Sequence, residues 1–174
     1  METSALLIDA FTRVRETVHR AVEGLDPEEL AFRPDRDGNS IAWLVWHLTR
    51  IQDDHIADVA GLEQVWTAQG RAERFGLPFP VSATGYGHGT DDVAAVRVDS
   101  ADLLIGYHDA VFEQTTRFVA TLTDDDLDRI VDESWDPPVS LGVRLVSVVN
   151  DDLQHGGQAS YLRGFIERRR SHER

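Results

Sequence analysis

Three ionisable side chains occupy positions where helical spacing calls for apolar ones. In Asn150-Asp151-Asp152-Leu153-Gln154-His155-Gly156-Gly157-Gln158 the stripe Leu141, Leu145, Val148 continues through Asp151 and His155 before returning to Leu162 and Phe165 or Ile166. In Trp43-Leu44-Val45-Trp46-His47-Leu48 the stripe Leu44, His47, Ile51 runs on to Asp54 or His55. Asp151 and His155 are one helical turn apart, so both can converge on a point just off the helix surface. A charged carboxylate at a helix interface must be compensated, either by a cation or by a hydrogen bond to the imidazole. Two imidazoles and one carboxylate suit a divalent transition metal such as Zn, Ni, Mn or Fe, and three protein ligands leave a position for water or substrate.

The elements that must bring these residues together are helical. Residues 4–23 carry Leu7, Ala10 or Phe11, Val14, Val18 and Val22 at helical spacing; Ser40 or Asn39 caps a second helix over 41–60; Ser100 caps a third over 101–122, with Leu104, Val111, Thr115, Phe118 and Leu122 inward; the last runs over 140–169. Between the second and third lies a long crossover with a short helix over 62–75, Pro78, Pro80 and Gly85-Tyr86-Gly87-His88-Gly89, which reads as a binding loop, a lid or a mobile connection. No strand leads into those glycines, so they form no phosphate-binding fingerprint. Four long helices without a convincing strand predict an all-α four-helix bundle in one domain, whose sites are built from inward-facing side chains.

Composition removes several classes of function. The chain has 174 residues and no cysteine, so any thiol it uses must be brought in. A net charge of -14 opposes a nucleic-acid backbone, and the one basic run, Arg168-Arg169-Arg170, reads as a complement to a helix C-terminus. Neither a secretion signal nor an apolar span is readable, which places the chain in the cytoplasm with no membrane partner. All 17 basic residues are Arg, as in proteins from high-GC genomes.

The remaining polar residues have narrower readings. His55 lies about 12 Å along the helix from His47, too far to share one ion, and belongs to a pocket rim or the surface. Asp54 shares the face of His47 and lines a cavity or pairs with an Arg, while Arg50 or Arg144 could bind a carboxylate of a substrate. His19 reads as solvated surface, His108 as a core-edge histidine or an extra ligand, and His88 stays unassigned. Asp124-Asp125-Asp126 reads as a structural turn. Gly156-Gly157 gives bare backbone either for ligand access or for packing against Trp43 or Trp46.

The motifs Trp43-Leu-Val-Trp-His-Leu48 and Asp151-Asp-Leu-Gln-His-Gly-Gly-Gln158 together resemble the DinB-like bundle proteins, and more closely their mycothiol-dependent transferase branch. The resemblance implies the bundle plan and a metal held by His47, Asp151 and His155, zinc being favoured, with Asp151 where Glu or His is more usual. It also implies a divalent-metal-dependent thiol S-transferase that activates mycothiol for transfer to a small electrophile in detoxification. Expected partners are the thiol and the electrophile; a homodimer is compatible with the sequence. Two alternatives stay open: another metalloenzyme, such as a hydrolase, an isomerase or a non-haem iron enzyme, and a stress-associated bundle whose metal is only structural.

Overall fold

The structure, a computed structural model, describes residues 2–172. Its order is α1 (Thr3–Val22), α2 (Pro27–Leu30), α3 (Ile41–Ala60), α4 (Val65–Ala68), α5 (Arg71–Phe75), α6 (Thr90–Ala95), α7 (Ala101–Val119), β1 (Ile130–Asp132), β2 (Val139–Ser140) and α8 (Leu141–His172). The four long helices α1, α3, α7 and α8 form the expected all-α bundle, in which α8 packs on α3 and α1, and α7 packs on the same two from the other side.

Local signals set the ends of α3. The Ser40 hydroxyl accepts the Trp43 amide hydrogen, and Gly61 closes the helix in the left-handed region at φ 65°. The helix is buried on nearly every face, because α7 and α8 flank it and the crossover covers it. Apolar side chains pack in two clusters. One holds Val14, Val18, Trp46, Tyr107 and Leu162; the other holds Phe11, Ile56, Val119, Leu145 and Val148. Between them along the helices lie buried polar groups: Thr49, Gln52 and Asp53 on α3, His108 and Thr115 on α7, and Asp152 on α8.

The crossover is more ordered than its sequence suggests. The single helix expected over 62–75 is broken at Gly70, φ 61°, into α4 and α5, and α6 was not expected at all. Asp53 organises the first part by accepting the Val65 and Trp66 amides at 2.8 Å each. The expectation of no strands is corrected by a small antiparallel pairing of β1 with β2, too short to show alternation in sequence. The third helix ends at Val119 rather than Leu122. Among the described residues no helix is long and apolar enough to cross a membrane.

Candidate metal centre

The bundle brings His47, Asp151 and His155 together, with one ligand atom of each within 4.8 Å of the others. His47 comes from α3; Asp151 and His155 come from successive turns of α8, where His155 Nε2 lies 3.6 Å from Asp151 Oδ1. The imidazoles of His47 and His155 meet edge to face at 4.9 Å between ring centres.

Each ring is held through its other nitrogen. His47 Nδ1 donates to the Thr84 carbonyl at 2.6 Å, and His155 Nδ1 donates to Gln158 Oε1 at 3.2 Å. Both histidines therefore keep an Nε2 lone pair, the state a metal ligand needs. Burial lowers the pKa of His47, which the Thr84 bond partly opposes, so the ring is neutral at pH 7. Trp43, one turn before His47, stacks on it at 4.6 Å and 17°.

The carboxylates divide differently from the sequence pattern. Asp152, not Asp151, takes the core position in line with Val148, Gly156 and Ala159, and it is fully buried with neither oxygen hydrogen-bonded among the described residues. Burial, and then the charge of Asp151, push its pKa well above the usual carboxylate range. Asp151 sits on the flank toward α3, and its Oδ2 is buried without a hydrogen-bond partner. An orphaned carboxylate oxygen beside two free imidazole nitrogens fits a divalent cation.

The crossover contributes more than its sequence suggested. Gly85, at φ 92°, packs so closely that a Cβ would lie 2.6 Å from His47 Nδ1 and 3.0 Å from Trp46. The Trp43 indole donates to His88 Nδ1 at 3.2 Å, and the His88 ring lies 4.5 Å from Phe79 and 5.7 Å from Trp46. The glycine-rich segment was the available signal; which residue it served was not readable.

Other expected site residues lie elsewhere. Arg50 is fully buried: it donates to Ala83 O and Gln64 Oε1 and lies over Trp66, which makes it a staple between α3 and the crossover. Asp54, His55 and Arg144 line a separate cavity two turns from the cluster. His108 is fully buried rather than at a core edge, and His19 pairs with Asp109 at 2.7 Å rather than facing only solvent. Gly156 gives clearance to Thr17 of α1, not to Trp43 or Trp46. Arg169 lies over Phe32 and Arg170 pairs with Glu29, so the basic run ties the end of α8 to the α2 region.

The match to a family model described as Mycothiol-S-transferase spans residues 6–168, and so includes every residue of this cluster. The chain belongs to that family. No curated protein matches this mycothiol-S-transferase family member. Among solved structures it is similar to a conserved protein from Enterococcus faecalis, with a TM-score of 0.88 and 29% identity, covering 94% of this chain and 96% of that one. The bundle and its crossover are thus shared beyond close sequence similarity, while the chemistry of this family member must be argued from its own side chains.

Proposed function

We propose that the chain is a divalent-metal-dependent thiol S-transferase that uses mycothiol, with His47, Asp151 and His155 as the ligands and zinc as the favoured ion. The observation that carries this reading is the buried, unpartnered Asp151 Oδ2 beside two histidines whose Nδ1 atoms are already committed. A cation there would supply what a cysteine-free chain lacks, a charge that makes an incoming thiol give up its proton near neutral pH.

The protein's own part is to orient and to enclose. Thr84 and Gln158 fix the ring tautomers, Trp43 holds the His47 plane by stacking, and the crossover segment around Gly85 closes one side of the cluster. In the overall reaction the S–H bond breaks and a carbon–sulfur bond forms. The electron pair displaced at the electrophilic carbon departs with a leaving group, or stays in the adduct and takes up the proton where the electrophile adds the thiol across a double bond or ring. Cytoplasmic location, a role in detoxification and homodimer formation belong to the same proposal.

The test is a thiol-conjugation assay with mycothiol and glutathione in parallel, with and without a chelator. Chelator-sensitive consumption of mycothiol, restored by added zinc, supports the reading. Turnover untouched by metal removal in protein verified as metal-free, or oxygen consumption by an iron-loaded form without any thiol, overturns it.

A further inference from the structure

The turn that carries His88 is built against the metal centre. Gly85 and Gly87 take φ 92° and 76°, the His88 amide donates to the Gly85 carbonyl at 3.1 Å, and Gly85 is the residue that abuts His47. Two left-handed positions in three residues explain the glycines on either side of Tyr86. Trp43 is a common wall: its indole lies 4.6 Å from His47, 6.1 Å from His155 and 6.4 Å from His88 between ring centres.

The His88 ring is fixed both in place and in tautomer. Trp46 stacks on it at 5.7 Å and 21°, and Phe79 lies 4.5 Å away on a tilt. The Trp43 indole N–H points at Nδ1 from 3.2 Å. An indole nitrogen only donates, so Nδ1 accepts and the ring proton sits on Nε2. Nε2 has no hydrogen-bond partner among the described residues and is not one of the sealed polar atoms, so solvent reaches it. The other donors near the cluster are spent or sealed. His47 Nδ1 is committed to Thr84 and His155 Nδ1 to Gln158, while Arg50 and the Trp46 indole nitrogen are buried. Tyr86 is 89% exposed and is not held in one position. Among the described residues, His88 Nε2–H is thus the oriented donor at this centre that a bound substrate can reach.

A preoriented N–H without an acceptor of its own suits an oxygen that gains negative charge as a reaction proceeds, and a donor at the opposite nitrogen keeps an imidazole in that donating form. We propose that His88 is a further catalytic residue, whose Nε2–H hydrogen-bonds to the electrophile, and that the electrophile is one whose displaced electron pair is received by an oxygen, an epoxide being the simplest. This assignment rests on the transferase reading above. In the step, sulfur bonds to carbon, the carbon–oxygen bond opens with its pair going to oxygen, and that oxygen takes up from solvent the proton that the thiol released. His88 lends a hydrogen bond and keeps its own proton.

The test crosses two variants with two electrophiles, using zinc-loaded full-length protein and mycothiol. Propylene oxide puts the displaced pair on oxygen, whereas ethyl iodide loses it with iodide, a weak hydrogen-bond acceptor. His88→Asn keeps an acceptor for Trp43 near the Nδ1 position but has no N–H at Nε2; His88→Gln has an N–H near Nε2 without the acceptor at Nδ1. His88→Asn should lower the ratio of propylene oxide to ethyl iodide turnover about 100-fold, the cost of one oxyanion donor, and His88→Gln should recover at least about tenfold of that. Zinc affinity by dye competition and the circular dichroism spectrum should match the wild type in both variants. Independently of turnover, long-range proton–nitrogen correlation spectra of the metal-free protein should show His88 protonated at Nε2. A proton on Nδ1 overturns the proposal. So does a ratio kept in His88→Asn and lost in His88→Gln, which a mere loop anchor would give, and so does loss of zinc from both variants. A wild type that conjugates ethyl iodide but not propylene oxide overturns it while leaving thiol transfer standing; one that conjugates neither overturns both.

Discussion

The Thr84 carbonyl oxygen stands 2.6 Å from Nδ1 of His47, joining the crossover to α3 at one atom of the candidate metal centre. Because a carbonyl only accepts, this contact fixes the proton on Nδ1 and leaves Nε2 free. Gly85 permits it, and Gly85→Ala adds a Cβ 2.6 Å from that same nitrogen at φ 92°, so the segment must move away. The variant should bind zinc about 10- to 100-fold more weakly, the range for losing a group that orients a ligand. Competition against a chelating dye measures it, and unchanged affinity in folded variant would refute the link.

Asp151 and Asp152 are adjacent and should respond in opposite ways. Asp151→Ala removes a candidate ligand and should abolish tight zinc binding while leaving the bundle folded. Asp152→Asn removes a fully buried carboxylate that has no partner, and should raise stability by about 1–3 kcal/mol. Urea denaturation of metal-free protein gives the second value, and dye competition the first. If Asp152→Asn destabilises the chain while Asp151→Ala still binds zinc, the two roles have been exchanged.

The same pair of carboxylates marks how far the sequence could be read. The three/four spacing located α1, α3, α7 and α8 because each buries a continuous stripe, and it brought residues 47, 151 and 155 to one level. It does not choose between neighbours differing by one helical step of about 100°, and so offers Asp151 for the core slot that Asp152 fills. The crossover was opaque for another reason. Thr84 and Gly85 act through a carbonyl oxygen and an absent side chain, and Asp53 caps a segment 12 residues away, none of which leaves a periodic signal. Arg50 looked available for a ligand because sequence does not reveal that Ala83 and Gln64 already occupy it.

Arg50 should behave as a staple. Its guanidinium is enclosed 3.8 Å from the buried Asp53 carboxylate, which also accepts from Val65 N, Trp66 N and Tyr107. Arg50→Ala leaves that carboxylate without its cation and should cost about 3–5 kcal/mol. Thermal and urea unfolding test this. A variant of wild-type stability with a raised KM for the thiol would instead mean that the side chain reaches the substrate.

His108 should make stability depend on pH in a direction that can be stated in advance. The ring is fully buried on α7; Thr49 Oγ1 donates to Val45 O, so His108 Nδ1 donates to Thr49 Oγ1 at 3.1 Å, and Nε2 has no partner among the described residues. Burial lowers its pKa from 6.5 to about 4. Below pH 6.5 the unfolded chain therefore takes up a proton that the folded chain refuses, and stability falls until the pH reaches about 4. The difference, 6.5 less 4, corresponds to about 3 kcal/mol at about 1.36 kcal/mol per unit. In His108→Gln this contribution is absent while the carboxylates titrate as before, so the stability gap between wild type and variant isolates it. That gap should shift against the wild type by about 3 kcal/mol between pH 7.5 and 4, measured by urea denaturation at intervals. A gap independent of pH would mean that the folded protein admits the proton, and that His108 is not sealed in the core.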